Sequence, residues 1–323
     1  MKLLVAGGAG YVGSRLVPAL RERGYNVEVV DLLWFGNHLP PDVPVRKQDI
    51  FSLTVDDLKG YDQVVFLGGL SNDPMAEFSP AQNFVQNGAL PAYLAFIAKK
   101  AGVRRLIYAS SCSVYGYTED QLYNEDDPVT CDYPYGISKL QGERAALQMH
   151  DKDFSVIALR QGTVCGWSPR MRFDLIVNTM VKAALTTGTI VVNNPSIWRP
   201  VLDIRDTVSG FLRAVQASYR LSGVFNIASG NYTVGQVADL VKEELELLTG
   251  ARVQLDIRNV QDFRNYKVSC DRAKIELGFQ PQYSVKDMVA EVMQNRADYG
   301  DFERDEFYNI RVFKKLATET VVA

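Results

Sequence analysis

Gly7-Gly8-Ala9-Gly10-Tyr11-Val12-Gly13 follows directly on the apolar run of residues 2–6 and opens a helical pattern over residues 12–23, which Gly24 stops. Two glycine spacings overlap here, GxGxxG (Gly8, Gly10, Gly13) and GxxGxxG (Gly7, Gly10, Gly13). Glycines at these points permit a tight strand-to-helix turn. They also let the backbone approach a pyrophosphate lying on the amide-rich, positive end of the helix. The spacing alone is weak evidence, but its position between a strand and a helix is what the mechanism requires. The reading is a dinucleotide-binding loop in which Gly7, Gly10, Tyr11 and Val12 meet the cofactor.

Outward from the loop, residues 26–30 read as the next strand and end at Asp31, about 20 residues on. A carboxylate there accepts hydrogen bonds from both ribose hydroxyls and repels a 2′-phosphate. Leu32 and Leu33 follow, with no Arg or Lys to welcome that phosphate, so NAD is expected over NADP. Strands are also expected over residues 63–67, 105–109 and 155–159, with helices over 81–101 and 135–150. Strand-helix alternation with apolar strands predicts an α/β, Rossmann-type, doubly wound parallel sheet. Gln48-Asp49-Ile50 ends a third presumed strand, where Asp49 and Ile50 would border the adenine. Leu67 and Gly68 end the fourth, beside the path of the cofactor.

The regular pattern weakens after about Gly166, where a smaller, mixed α/β substrate-binding domain is expected. We expect residues 1–165, rejoined by about 201–228, to hold the cofactor. Residues 166–200 and 229–323 would then hold the substrate. Helices are expected over 174–187, 206–219, 234–248 and 285–295, with short strands near 189–192, 224–227 and 252–257.

Composition narrows the function class. The 323 residues are 47% hydrophobic and 23% charged, which are globular proportions. A net charge of -3 leaves no basic field for nucleic acid. His38 and His150 are the only histidines, so a multi-histidine metal site is impossible and no metal is expected. Cys112, Cys131, Cys165 and Cys270 have no CxxC spacing and read as reduced thiols of a cytoplasmic protein. The N-terminal apolar run is too short for a secretory signal, and no stretch reaches the roughly 20 apolar residues of a membrane span.

A chemical constellation follows the fifth strand. Ser110-Ser111-Cys112-Ser113-Val114-Tyr115-Gly116 is followed some twenty residues later by Tyr135-Gly136-Ile137-Ser138-Lys139. Tyr135 and Lys139 stand i,i+4 and share one helix face. A free tyrosine is a poor base at neutral pH, since its pKa is about 10. A lysine ammonium nearby favours the phenolate, and a serine hydroxyl can hold the substrate oxygen. Such a set moves a proton off an alcohol while hydride leaves its carbon.

Taken together, GGAGYVGS, VVD, QDI, SSCSVYG, YGISK, LRQGTVCG, WRPVLDIRD, VFNIASG and LGFQP make the chain resemble the extended short-chain dehydrogenase/reductase family. The likeness is to its NAD-dependent epimerase/dehydratase branch, which acts on nucleotide-diphosphate sugars, and it runs along nearly the whole chain. It implies catalytic roles for Ser111, Tyr135 and Lys139, with Lys139 and Tyr135 also meeting the nicotinamide ribose. It implies that Asn87 organises the cofactor site. Arg199 and Arg264 match arginines that clamp the substrate diphosphate, and guanidinium forks suit that contact. Asn178 resembles an asparagine that touches the first phosphate or sugar. The family also implies a homodimer paired through the helices over 81–101 and 135–150, with Tyr93, Phe96, Leu140 and Leu147 as expected contacts.

Cys112 and Ser113 border the substrate in this likeness. They stand where dehydratases carry Asp-Glu and where decarboxylases carry Glu at the second position. Neither elimination nor decarboxylation then has its carboxylate. A 4-epimerase is the favoured expectation, and a 4-dehydrogenase or ketoreductase is the alternative. A non-catalytic NAD sensor is a further one, although the catalytic tyrosine is present. Cys165 stands where relatives carry Tyr, Thr163 where many carry Asn, and Ser71-Asn72-Asp73-Pro74 borders the sugar without an assigned role.

Overall fold

The computed structural model describes residues 1–260 and 264–322. Seven parallel strands form the main sheet: β1 (Lys2–Ala6), β2 (Asn26–Asp31), β3 (Val45–Lys47), β4 (Gln63–Phe66), β5 (Arg105–Ser111), β7 (Ser155–Gln161) and β11 (Gly223–Ile227). Their spatial order is β11-β7-β5-β4-β1-β2-β3. Alternation along each strand feeds two cores. Leu3, Val5, Val29, Val65, Ile107 and Ile157 pack on one face against helices α1 (Gly13–Glu22) and α7 (Ile204–Gln216). Leu4, Ala6, Val30, Phe66, Leu106 and Val156 pack on the other against α4 (Leu90–Lys100) and α5 (Pro134–Leu147). Each fully buried Leu or Val contributes about 1.5–3 kcal/mol, which makes this two-faced burial the main stabilising term.

Strand order reverses between β1 and β4, so the loops leaving their carboxyl ends diverge and open a crevice. Over that crevice stands a second cluster. It contains β8 (Thr163–Cys165), β10 (Trp198–Asp203) and β12 (Gly230–Thr233) in one sheet and β9 (Thr189–Asn193) with β13 (Gln254–Arg258) in another. Helices α6 (Ile176–Thr187), α8 (Val234–Thr249) and α9 (Val285–Gln294) bury Val181, Val241, Met288 and Val292 against them. β6 (Tyr117–Tyr123) and β14 (Asn265–Val268) form a further parallel pair. Among the described residues no helix is long and apolar enough to cross a membrane.

The continuous helix expected over 81–101 is instead three pieces. A short helix α2 (Asp73–Phe78) leads to α3 (Pro80–Phe84), a π turn at Val85–Ala89, and then α4. The wide turn carries Asn87 inward, where its Nδ2 donates to the carbonyl of Leu70 at 2.9 Å. The expected outer face is also corrected. Tyr93 turns in and donates its hydroxyl to Leu53 O at 2.6 Å, and Leu147 packs on the core. Phe78, Phe84, Val85, Phe96 and Ile137 are exposed apolar side chains of these helices.

Candidate active site

A cavity of about 570 Å³ fills the crevice. Gly7, Gly10, Tyr11 and Val12 form its floor at the start of α1, with Asp31, Trp34 and Phe35 at one end. The glycine loop is fitted to its neighbour. Gly7 has φ +80°, and a Cβ there would lie 2.4 Å from the amide nitrogen of Gly68 at the end of β4. Asp49, Ile50, Leu67 and Gly68 line the same region, and Asp49 caps a short turn by accepting from Phe51 N at 2.9 Å. The Asp31 carboxylate accepts from Ala9 N at 2.9 Å and Leu33 N at 2.8 Å. Burial raises its pKa against the pull of those amides and of Arg170.

At the far end, Ser111, Ser113, Tyr135, Lys139 and Thr163 converge with Arg199, Arg264 and Tyr266. The Ser111 hydroxyl donates to Ser113 Oγ at 3.1 Å and acts on the Tyr135 phenol to lower its pKa. Tyr135 is held inside the fold, with its ring open to the cavity. Burial pushes its pKa up, the Asp73 carboxylate adds to that, and the bond from Ser111 opposes it. Lys139 is buried, with Nζ 4.5 Å from the centroid of the Tyr108 ring. Burial pulls Lys139 down to about 7, opposed by Glu143 one turn along α5. This qualifies the expected help from Lys139. Burial works against its ammonium, and burial and Asp73 dominate the phenol.

Glu143 belongs to a buried network behind the site. It accepts from Arg160 Nε and Nη2 at 2.9 and 2.6 Å and from the Ser110 hydroxyl at 2.6 Å. This network fixes α5 against β5 and β7, and so fixes Tyr135 relative to Ser111.

Three expected contacts with the ligands are displaced. Cys112 is fully buried in the turn after β5 and its thiol donates to Arg160 O, whereas Ser111 and Ser113 on either side of it line the cavity. Asn178 is fully buried as well, accepting from Gly166 N and donating to Arg172 O. It orders the loop over residues 166–172 rather than reaching the substrate. Asn87 lies behind the wall, tying Leu70 to Asn83 and Ser138. Cys165 is buried beside Asn178.

Arg264 is ion-paired with Asp73 across the cavity, and Arg199 donates to the backbone carbonyl of Arg264. Both arginines therefore stand together near Tyr266, whose hydroxyl is 3.4 Å from Ser113 Oγ. Arg170, Arg172, Asp174 and Asn309 also line the cavity without having been singled out in the sequence. The Arg-x-Arg spacing just past Gly166 is the one local signal for two of them.

A glycine cradle, a carboxylate at the end of β2 and a Ser-Tyr-Lys set at a sheet switch point define a dinucleotide-dependent enzyme of the α/β class. The chain belongs to the NAD dependent epimerase/dehydratase family, whose model matches residues 3–228. It is 24% identical over 339 residues to a UDP-glucose 4-epimerase of Neisseria meningitidis serogroup C, covering 93% of this chain and 99% of that protein. MoeE5, solved in complex with UDP-glucuronic acid and NAD, superposes with a TM-score of 0.81 at 29% identity, covering 92% of this chain and 99% of the other. The UDP-glucose 4-epimerase of Thermotoga maritima, solved with UDP-glucose, gives a TM-score of 0.81 at 25% identity, covering 92% and 99%. The protein is an NAD-dependent enzyme of nucleotide-sugar chemistry.

Proposed function

We propose that this enzyme is a nucleotide-sugar 4-epimerase that keeps its cofactor through the reaction. The observation that carries the reading is the side-chain set at the sugar end of the cavity. Ser111, Ser113, Thr163 and Tyr135 offer hydroxyls and a phenol, while Cys112 faces away. Asp73, the carboxylate acting on Tyr135, is held by Arg264. Removing and returning a proton at one hydroxyl needs no more than this, whereas elimination needs a free acid and base.

When bound, NAD supplies a hydride acceptor and donor at the sugar carbon. The chain's residues do the rest. Ser111 holds the substrate oxygen, and Tyr135 takes its proton as the phenolate and returns it as the phenol. Lys139, one turn along α5 from Tyr135, favours the phenolate when charged. Arg199 and Arg264 hold the diphosphate while the sugar turns, which requires Arg264 to leave Asp73. Residues 1–165 with about 201–228 form the cofactor domain in this reading, and 166–200 with 229–323 the substrate domain. The enzyme works as a homodimer in the cytoplasm.

The test is purification without added cofactor, followed by incubation with a panel of nucleotide sugars. Retained NAD and conversion to the C4 epimer without added NAD are expected. Stoichiometric NADH release with a keto sugar as product would establish a dehydrogenase instead. Tight NAD binding with no turnover of any sugar would favour a sensor.

A further inference from the structure

Arg170 is a buried charge that its surroundings leave half satisfied. The side chain is 2% exposed and lies on the Phe35 ring, with the guanidinium carbon 3.9 Å from the centroid. Its Nη2 donates to Asn309 Oδ1, but Nε and Nη1 have no partner although both are out of solvent. Burial pulls the guanidinium down to about 9. A buried cation with two unused donors is unfavourable until an anion completes it. Arg170 lines the cavity, in the same lining as the glycine loop and Asp31.

Its seat is the first residue of the C-terminal helix α10 (Asn309–Val322). Asn309 accepts from Arg170 through Oδ1 and donates through Nδ2 to Ser71 Oγ at 2.6 Å. Against burial, its backbone N–H helps hold the Asp174 carboxyl below its ordinary pKa, after the larger effect of Arg172. That carboxylate also accepts from Arg172 at 2.8 and 3.0 Å and from Asn72 Nδ2 at 3.1 Å. Behind Asn309, Phe313 and Ile310 pack on Trp34, Leu70 and Met75. Helix α10 thus joins the loop after β2 to the loop after β4, the two walls between which a dinucleotide must pass.

We propose that Arg170, seated by Asn309 of the C-terminal helix, pairs with the pyrophosphate of the bound dinucleotide, so that α10 sets how fast the cofactor leaves. The proposal rests on NAD lying along the glycine loop. A diphosphate also arrives with the sugar nucleotide, but Arg199 and Arg264 stand by Tyr266 and Tyr133 on the catalytic side, whereas Arg170 neighbours Asp31 and Phe35.

The test is calorimetric titration of the full chain, stripped of nucleotide, with ADP-ribose, adenosine and UDP. Arg170→Met should weaken ADP-ribose on the order of 30-fold, the loss of two charge-assisted hydrogen bonds. Adenosine and UDP should change less than about threefold. Asn309→Ala should speed release of bound NAD, followed by chase with excess ADP-ribose, by roughly tenfold. The stripped Arg170→Met protein should melt no lower than the parent, since it loses an unpaired buried charge. Unchanged ADP-ribose affinity would overturn the proposal. So would an equal loss for adenosine, which marks a merely structural role, or a loss for UDP alone, which assigns Arg170 to the substrate. If Arg170→Met does not fold, the release rate of Asn309→Ala decides, and an unchanged rate sinks the idea. Failure of the unaltered protein to bind ADP-ribose at all would instead refute the NAD reading beneath it.

Discussion

At the scale of single residues, the proposed catalytic pair, Tyr135 and Lys139, is under opposed pressures. Tyr135 is pushed up by burial and by Asp73, and Lys139 is pulled down to about 7 by its own burial. Tyr135→Phe removes only the ionisable oxygen, so turnover should fall by at least about 10³-fold while NAD affinity changes little. Steady-state kinetics beside an NAD titration checks this, and full activity would remove Tyr135 from the mechanism. The Lys139 shift also makes a stability statement. An unfolded lysine binds its proton up to a pKa of about 10.4, but the folded one only up to about 7. Between those values the unfolded chain holds more protons, so this group's penalty is full below pH 7 and fades as pH rises. Lys139→Met should therefore raise the melting temperature of the nucleotide-free protein at pH 6–7, by about a few degrees, and the gain should shrink toward pH 10. Paired melts across that range read the difference directly, and a gain independent of pH would show that the charge is not the cause. The preference for NAD over NADP is expected to rest on Asp31. Asp31→Ala should narrow the preference for NAD over NADP by about tenfold or more, measured as the ratio of their dissociation constants.

Elements differ in how openly the sequence declared them. The β1–loop–α1 unit was legible because its ligand demands small residues at fixed offsets, and the strands of the main sheet because burial on both faces demands continuous apolar runs. Nothing in Val85-Gln86-Asn87-Gly88-Ala89 announces a π turn. The turn exists because Asn87 Nδ2 reaches Leu70, a contact set by the loop after β4. Likewise β6 and β14 pair across roughly 145 residues of chain, and no local pattern encodes that partner. The glycine loop yields a paired test of what each glycine is for. Gly7→Ala would place a Cβ 2.4 Å from Gly68 N at a φ of +80°, so it should cost about 1–3 kcal/mol of stability as well as cofactor binding. At Gly10 the nearest atom to a Cβ is 3.6 Å away, in ordinary contact. Gly10→Ala should melt like the parent yet bind NAD at least about tenfold more weakly, because its Cβ stands where the pyrophosphate approaches the backbone. Thermal melts with and without NAD separate the two. Equal melting temperatures for both variants would contradict this division of roles.

At the scale of the whole molecule, the parts missed in the sequence are those assembled from distant segments. Asn309 meets Ser71 across 238 residues, Arg264 meets Asp73 across 191, and Asn72 meets Asp174 across 102. Ser111, Tyr135 and Lys139 were legible because their spacing is itself the chemistry, whereas the cavity's opposite wall is defined by tertiary placement alone. The same distinction bears on assembly. Phe84, Val85 and Ile137 are 36%, 46% and 38% exposed, and Phe84 and Ile137 border one groove with Leu140, Gln141 and Arg144. Apolar side chains clustered on adjoining helices are costly to leave in water. A two-fold dimer would cover them with the same patch of a second copy, since an isologous interface must be self-complementary. The contacts then come from the α3 end of this helical unit and the start of α5, not from Tyr93 and Leu147, which face inward. Light scattering at micromolar concentration should return twice the chain mass. Phe84→Glu combined with Ile137→Arg should return the single chain mass with its circular dichroism preserved, because both side chains are exposed in one protomer. A single-chain mass for the unaltered protein would refute the dimer. A dimer surviving the double substitution would place its interface on another face.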